Sequence, residues 1–97
     1  MNEKNSKDDT LAKEDVINCR KSAERGDVMS QTRLGEMYFY GKGVSQNYVE
    51  ALKWLLKAAE QGHVEAYYTL GCMYEEGKGV ARDLAEAAKW FRKAGEH

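Results

Sequence analysis

The chain has 97 residues, 42% of them hydrophobic and 32% charged, with a net charge of −1 and a pI near 6.1. That is one small domain, expected to bury roughly 60–65% of its unfolded surface. Its near-neutral charge makes it a poor candidate for binding nucleic-acid backbone, which needs a basic face, and no apolar run reaches the ~18 residues a membrane span needs.

The opening stretch MNEKNSKDDT lacks the apolar core of a secretory signal, so a cytoplasmic protein is expected. Residues 1–9 mix both charges and read as a disordered tail, with a single repeat domain over 10–97. Asp9 or Thr10 is placed to cap a first helix running to Arg25, in which Leu11, Val16, Cys19 and Ala23 recur at near-helical spacing. From residue 23 the chain repeats itself. Residues 23–58 and 59–94 align without a gap and are identical at 18 of 36 positions. A fixed period of this length is the mark of a stacked repeat array.

Gly26 suits a helix C-terminus and Asp27 the N-cap of a second helix over 28–40. Ser30, Leu34, Met37, Tyr38 and Gly41 fall on one face of it, as do Ala66, Leu70, Met73, Tyr74 and Gly77 in the next copy. Gly35 and Gly71 stand mid-helix, where glycine costs about 1 kcal/mol. The same choice in both copies predicts close approach of a neighbouring helix, with an aromatic ring over the bare backbone.

Gly-Lys-Gly-Val follows at 41–44 and 77–80, a tight reversal whose valine closes the end of the helix pair. Asn47 with Glu50, and Asp83 with Glu86, resemble capping boxes. They open helices over 48–61 and 84–95. Leu52, Leu55, Ala58 and Ala59 form the core stripe of the former, with Ala51 and Trp54 at its edges. Ala88, Phe91, Ala94 and Gly95 are the counterparts in the latter, edged by Ala87 and Trp90. Shifted by 36, the first helix matches these second-type helices, with Asn18 in the tryptophan position, so residues 10–25 read as a degenerate half-repeat. The expected fold is all-α: a short right-handed solenoid of two helix–turn–helix repeats preceded by one extra helix, five helices in total.

The pattern is similar to the Sel-one-like repeat family, a branch of the tetratricopeptide-like α-solenoids. Leu34, Gly35, Tyr38, Gly41, Gly43, Val44, Asn47, Ala51, Trp54, Ala58, Ala59, Glu60 and Gly62 carry the resemblance in the first copy. Ala66, Leu70, Gly71, Tyr74, Gly77, Gly79, Val80, Asp83, Ala87, Trp90 and Ala94 carry it in the second. The resemblance implies an adaptor or scaffold that holds a protein or peptide partner on its concave surface. It also brings two alternatives: a β-lactamase-like hydrolase, as claimed for a cysteine-rich branch, and a structural piece of a longer array.

The residues speak against the hydrolase. Ser6, Ser22, Ser30 and Ser45 are followed three positions later by Asp, Arg, Arg and Tyr, never by lysine. Cys19 and Cys72 fall on helices separated by two others, beyond the ~7 Å between Cα atoms that a disulfide allows. His63 reads as a helix cap and His97 as a disordered terminus, and with two distant cysteines they make no zinc site. Gly-Lys-Gly lacks the remainder of a phosphate-binding loop. No cofactor is expected.

Tyr40, Tyr67 and Tyr68 lie off the apolar face, where aromatic side chains serve binding rather than packing. The resemblance places the first helix of each pair on the concave surface. The expected partner site is therefore Met29, Thr32, Arg33, Glu36 and Tyr40, then Glu65, Tyr68, Thr69, Cys72 and Glu76. The end near Trp90 and Phe91, with no further helix to cover it, is a candidate surface for self-association.

Overall fold

Three short polar side chains set where the helices start. In the computed structural model, which describes residues 3–96 and the side chains from Glu14 onward, Asp27, Asn47 and Asp83 lie in extended backbone. They accept the N–H of Ser30 at 3.1 Å, Glu50 at 3.1 Å and Glu86 at 3.0 Å. The described residues form five helices: α1 (Glu3–Glu24), α2 (Val28–Tyr40), α3 (Tyr48–Glu60), α4 (Val64–Glu76) and α5 (Leu84–Gly95). His63, at the corresponding position before α4, makes no side-chain cap bond. Replacing Asn47 with alanine is expected to cost about 1 kcal/mol, seen as a lower Tm, because one N–H of the first turn loses its acceptor.

α2 and α4 end alike. Gly41 and Gly77 take the left-handed conformation, with φ of 72° and 69°, and their N–H groups return to Met37 and Met73. The first helix differs from expectation. It begins at Glu3 rather than at a cap on Asp9 or Thr10, so part of the stretch assigned to a tail is helical. No proline or glycine interrupts residues 3–24, and a potential cap residue inside an otherwise permissive run does not force a start. Met1, Asn2 and His97 lie outside the described residues.

Each repeat is one tightly packed pair, α2 with α3 and α4 with α5; α1 lies against α2, and a less extensive contact joins α3 to α4. Leu34, Leu55, Leu70 and Met73 are the largest fully buried side chains. Two connected clusters result. Ala51, Leu55, Ala58 and Ala59 of α3 meet Ala66, Tyr67, Leu70 and Met73 of α4. Val16, Cys19 and Ala23 of α1 close over Leu34 and Trp54. The resulting all-α solenoid measures 49 × 26 × 19 Å. None of its helices, among the described residues, is long and apolar enough to cross a membrane.

Both mid-helix glycines admit a neighbour. A Cβ on Gly71 would lie 2.6 Å from the Phe91 ring, the aromatic contact expected there. At Gly35 the intruder is aliphatic: a Cβ would meet Leu55 Cγ at 2.7 Å. The ring expectation is thus corrected for the first copy, since Leu55 occupies the position of Phe91.

Three burial expectations change as well. Ala51 and Trp54, read as edges, are fully in the core, because α1 covers the side of α3 that carries Trp54. Ala88 and Gly95, read as core, are exposed, and Trp90, Phe91 and Ala94 are half-buried, because α5 packs chiefly on α4. Tyr67, read as lying off the apolar face, is only 4% exposed and sits 5.8 Å from the Trp90 ring. Its counterpart Gln31 is buried too. A polar residue at that position in one copy hid an inward-facing position in both.

Candidate functional site: a trough along the first helices of the repeats

Two adjoining hollows run beside α2, and both are lined by Arg33 and Glu36. One, of about 370 Å³, opens toward α1 and the first glycine turn, and adds Asp15, Met37, Tyr40 and Lys42. The other, of about 360 Å³, opens toward α4, and adds Met29, Thr32, His63 and Glu65. Helical spacing explains the arrangement. Met29, Arg33, Glu36 and Tyr40 recur at intervals of three and four, on the face turned away from Leu34 and Gly35, which pack on α3.

Six of the ten expected residues line this trough: Met29, Thr32, Arg33, Glu36, Tyr40 and Glu65. Met29 is 64% exposed and Tyr40 61% exposed. Thr32 is different from the exposed contact expected. It is 3% exposed and its hydroxyl donates to the Val28 carbonyl at 3.1 Å, so it forms floor. Arg33 is held by α1, its guanidinium donating to the Asp15 carboxylate at 3.1 Å.

The remaining four lie further along α4, outside both hollows. Tyr68 is 62% exposed, with its ring 5.5 Å from Phe91. Thr69 donates to the Glu65 carbonyl, Cys72 is half-buried, and Glu76 pairs with Lys78 at 3.1 Å. Burial raises the Cys72 thiol pKa above its ordinary value, and Glu76 and Glu75 add to the effect. Cys19, on α1, donates to the Ser30 carbonyl and is raised chiefly by burial. Burial thus favours the protonated form of both thiols. Asp15, Lys42 and His63 also belong to the trough, and sequence reasoning missed them as site residues. Asp15 lies on α1 and Lys42 in the glycine turn, outside the first-type helices, and His63 reads from sequence as a cap.

The Glu36 carboxyl of the trough is shifted by its surroundings. Partial burial raises its carboxyl pKa above the ordinary 4.5, and Glu65 raises it further, while His63 and Lys42 pull it down. A raised folded-state pKa means the folded protein holds the proton more tightly than the unfolded chain, so stability falls as pH rises through the raised value. Glu36→Gln is therefore expected to raise Tm at neutral pH, with the gain disappearing below the ordinary carboxylate range. Thermal melts across that window measure it.

The comparisons give this geometry a family. The Sel1 repeat profile matches residues 28–63 and 64–97, the two helix pairs in succession. The chain belongs to the Sel1 repeat family. Among solved structures it is similar to c5321, a protective antigen of uropathogenic Escherichia coli strains displaying an SLR fold (42% identity, TM-score 0.82, 84% of this chain). It is similar over the same share to a Sel1 repeat protein from Oxalobacter formigenes (38%, TM-score 0.82) and to Helicobacter pylori cysteine rich protein B (27%, TM-score 0.77). The chain spans 17%, 62% and 61% of those three chains, respectively. Comparison with curated proteins returns no match. Each Sel1 repeat here begins with a trough helix, α2 or α4, and the positions that fix the repeat, such as Leu34 and Gly35, point away from the trough.

Proposed function

We propose that the chain is a protein-interaction module that holds a peptide or partner protein along α2 and α4. The observation that carries this reading is the placement of exposed Met29, Tyr40 and Tyr68 on those two helices, where they take no part in the buried clusters. Large apolar side chains left in water beside arginine and carboxylates are what an interface anchor requires. The Sel1 repeat fold, typically an interaction scaffold, supports it. Binding rather than catalysis fits the residues present, since both thiols have raised pKa values and no serine is followed at three residues by lysine. Turnover of nitrocefin above background would overturn the non-catalytic reading.

The test is affinity capture from the native cell with the original chain and with Arg33→Ala/Tyr40→Ala/Tyr68→Ala. All three side chains are exposed, so the triple variant should keep its fold by circular dichroism. It is expected to lose the captured partner. Equal capture by the two folded proteins defeats the proposal.

A further inference from the structure

Where the end of α1 meets α2 and α3 there is a second kind of hollow, of about 560 Å³, outside the trough. Four cations line it, Arg20, Arg25, Lys53 and Lys57, against one carboxylate, Glu24. The Lys53 and Lys57 ammonium groups lie 5.2 and 5.9 Å from the centre of the Trp54 ring. Arg20 donates to the Tyr38 hydroxyl, and Lys53 lies 3.5 Å from Glu50. Arg25 and Lys57 have no ion-pair partner among the described residues.

The walls are fixed. The Gln31 amide donates to the Ala23 carbonyl at 3.1 Å and accepts from Gln61 at 2.8 Å, and Gln61 also donates to the Gly26 carbonyl at 3.1 Å. Trp54 is 4% exposed, and its indole N–H, like that of Trp90, is buried without a hydrogen-bond partner among the described residues, a property the two copies share.

Comparison of the two copies separates packing from binding. Lysines flank the tryptophan in both, Lys53 and Lys57 about Trp54, Lys89 and Lys93 about Trp90, so shielding the ring is a property of the repeat. The arginines are not. Shifted by 36 residues, Arg20 becomes Leu56 and Arg25 becomes Gln61. The first hollow gathers four cations against one carboxylate, whereas the hollow beside Trp90 sets three, Lys89, Arg92 and Lys93, against two carboxylates, Glu86 and Glu96.

We infer that this hollow binds a phosphate-class oxyanion, free phosphate or a phosphomonoester, with Arg25, Lys53 and Lys57 as its charged donors. Charge-assisted bonds from several cations suit a dianion with three or four oxygens better than a single carboxylate. The volume leaves room for the organic part of an ester.

The experiment uses the full chain labelled with ¹⁵N and follows the two indole N–H signals, assigned with Trp90→Phe. Inorganic phosphate, glycerol phosphate and chloride are titrated at constant ionic strength. Either phosphate is expected to shift the Trp54 signal saturably and leave Trp90 nearly still. A tighter response to glycerol phosphate assigns the ester, and an equal response assigns the phosphate group itself. Arg25→Ala, an exposed residue, should weaken binding about tenfold, the scale of one lost charge-assisted bond. Lys53→Ala/Lys57→Ala should weaken it further, and Lys89→Ala/Lys93→Ala should leave it intact. Linear or equal shifts at both indoles, or unchanged binding in Arg25→Ala, overturn the inference.

Discussion

Gly79→Ala is expected to be among the most destabilising single substitutions in the chain, costing several kcal/mol. Two effects add. Gly79 has φ of 74°, a conformation that costs an L-residue about 1–2 kcal/mol. A Cβ there would also lie 2.5 Å from the Tyr48 carbonyl oxygen and 2.7 Å from its carbon. A backbone carbonyl at a helix start cannot rotate aside as a side chain can, so the second turn and α3 would have to separate. Gly26→Ala is the internal comparison. Its φ is 99°, but nothing lies within 4 Å of the added carbon, so only the backbone cost applies. Chemical denaturation of the two variants should give a clearly larger loss for Gly79→Ala. Equal losses would show that the contact with Tyr48 yields.

The second large effect lies between Gly35 and Leu55. Leu55→Ala removes a fully buried side chain and is expected to cost about 2–5 kcal/mol. Gly35→Ala gains helix propensity of about 1 kcal/mol but drives its methyl against Leu55 Cγ at 2.7 Å and Cδ2 at 3.0 Å. The net result is expected to be a loss. In the double variant the added methyl occupies part of the space that Leu55 vacates, so the combined cost should fall below the sum of the single costs. A double-mutant cycle in denaturant measures this coupling, and strict additivity would rule it out.

These two sites also show what a reader of the sequence can and cannot see. The glycine at 35 and 71 announced a close helix contact, because a costly residue repeated at one position needs a reason. Its partner was legible in kind for Phe91 and not for Leu55, since the glycine records only that something approaches. Caps and turns were legible because each rests on a local demand of the backbone, met within three residues: Asp27 to Ser30, Asn47 to Glu50, Asp83 to Glu86.

Burial was legible only where both copies agreed in polarity. Leu34 and Leu70 were read correctly. Tyr67 was not, because the inward position is filled in the first copy by Gln31, with amide hydrogen bonds, and in the second by the Tyr67 ring. The trough was legible along α2, where spacing on one helix suffices. The contributions of Asp15 and Lys42 were not, because they depend on how α1 and the turn come to lie beside α2.

The unequal packing along the stack has a mechanical consequence. Each repeat is a stiff plate: the pairs α2–α3 and α4–α5 interlock through bare glycine backbone, while the plates meet through the narrower α3–α4 contact. Under load, strain concentrates at the weaker joint. The hollow between α2 and the start of α4 spans that joint, so flexing about α3–α4 changes its width without disturbing either plate's interior. The molecule is built like a pair of jaws, two closely packed halves joined by a more compliant seam.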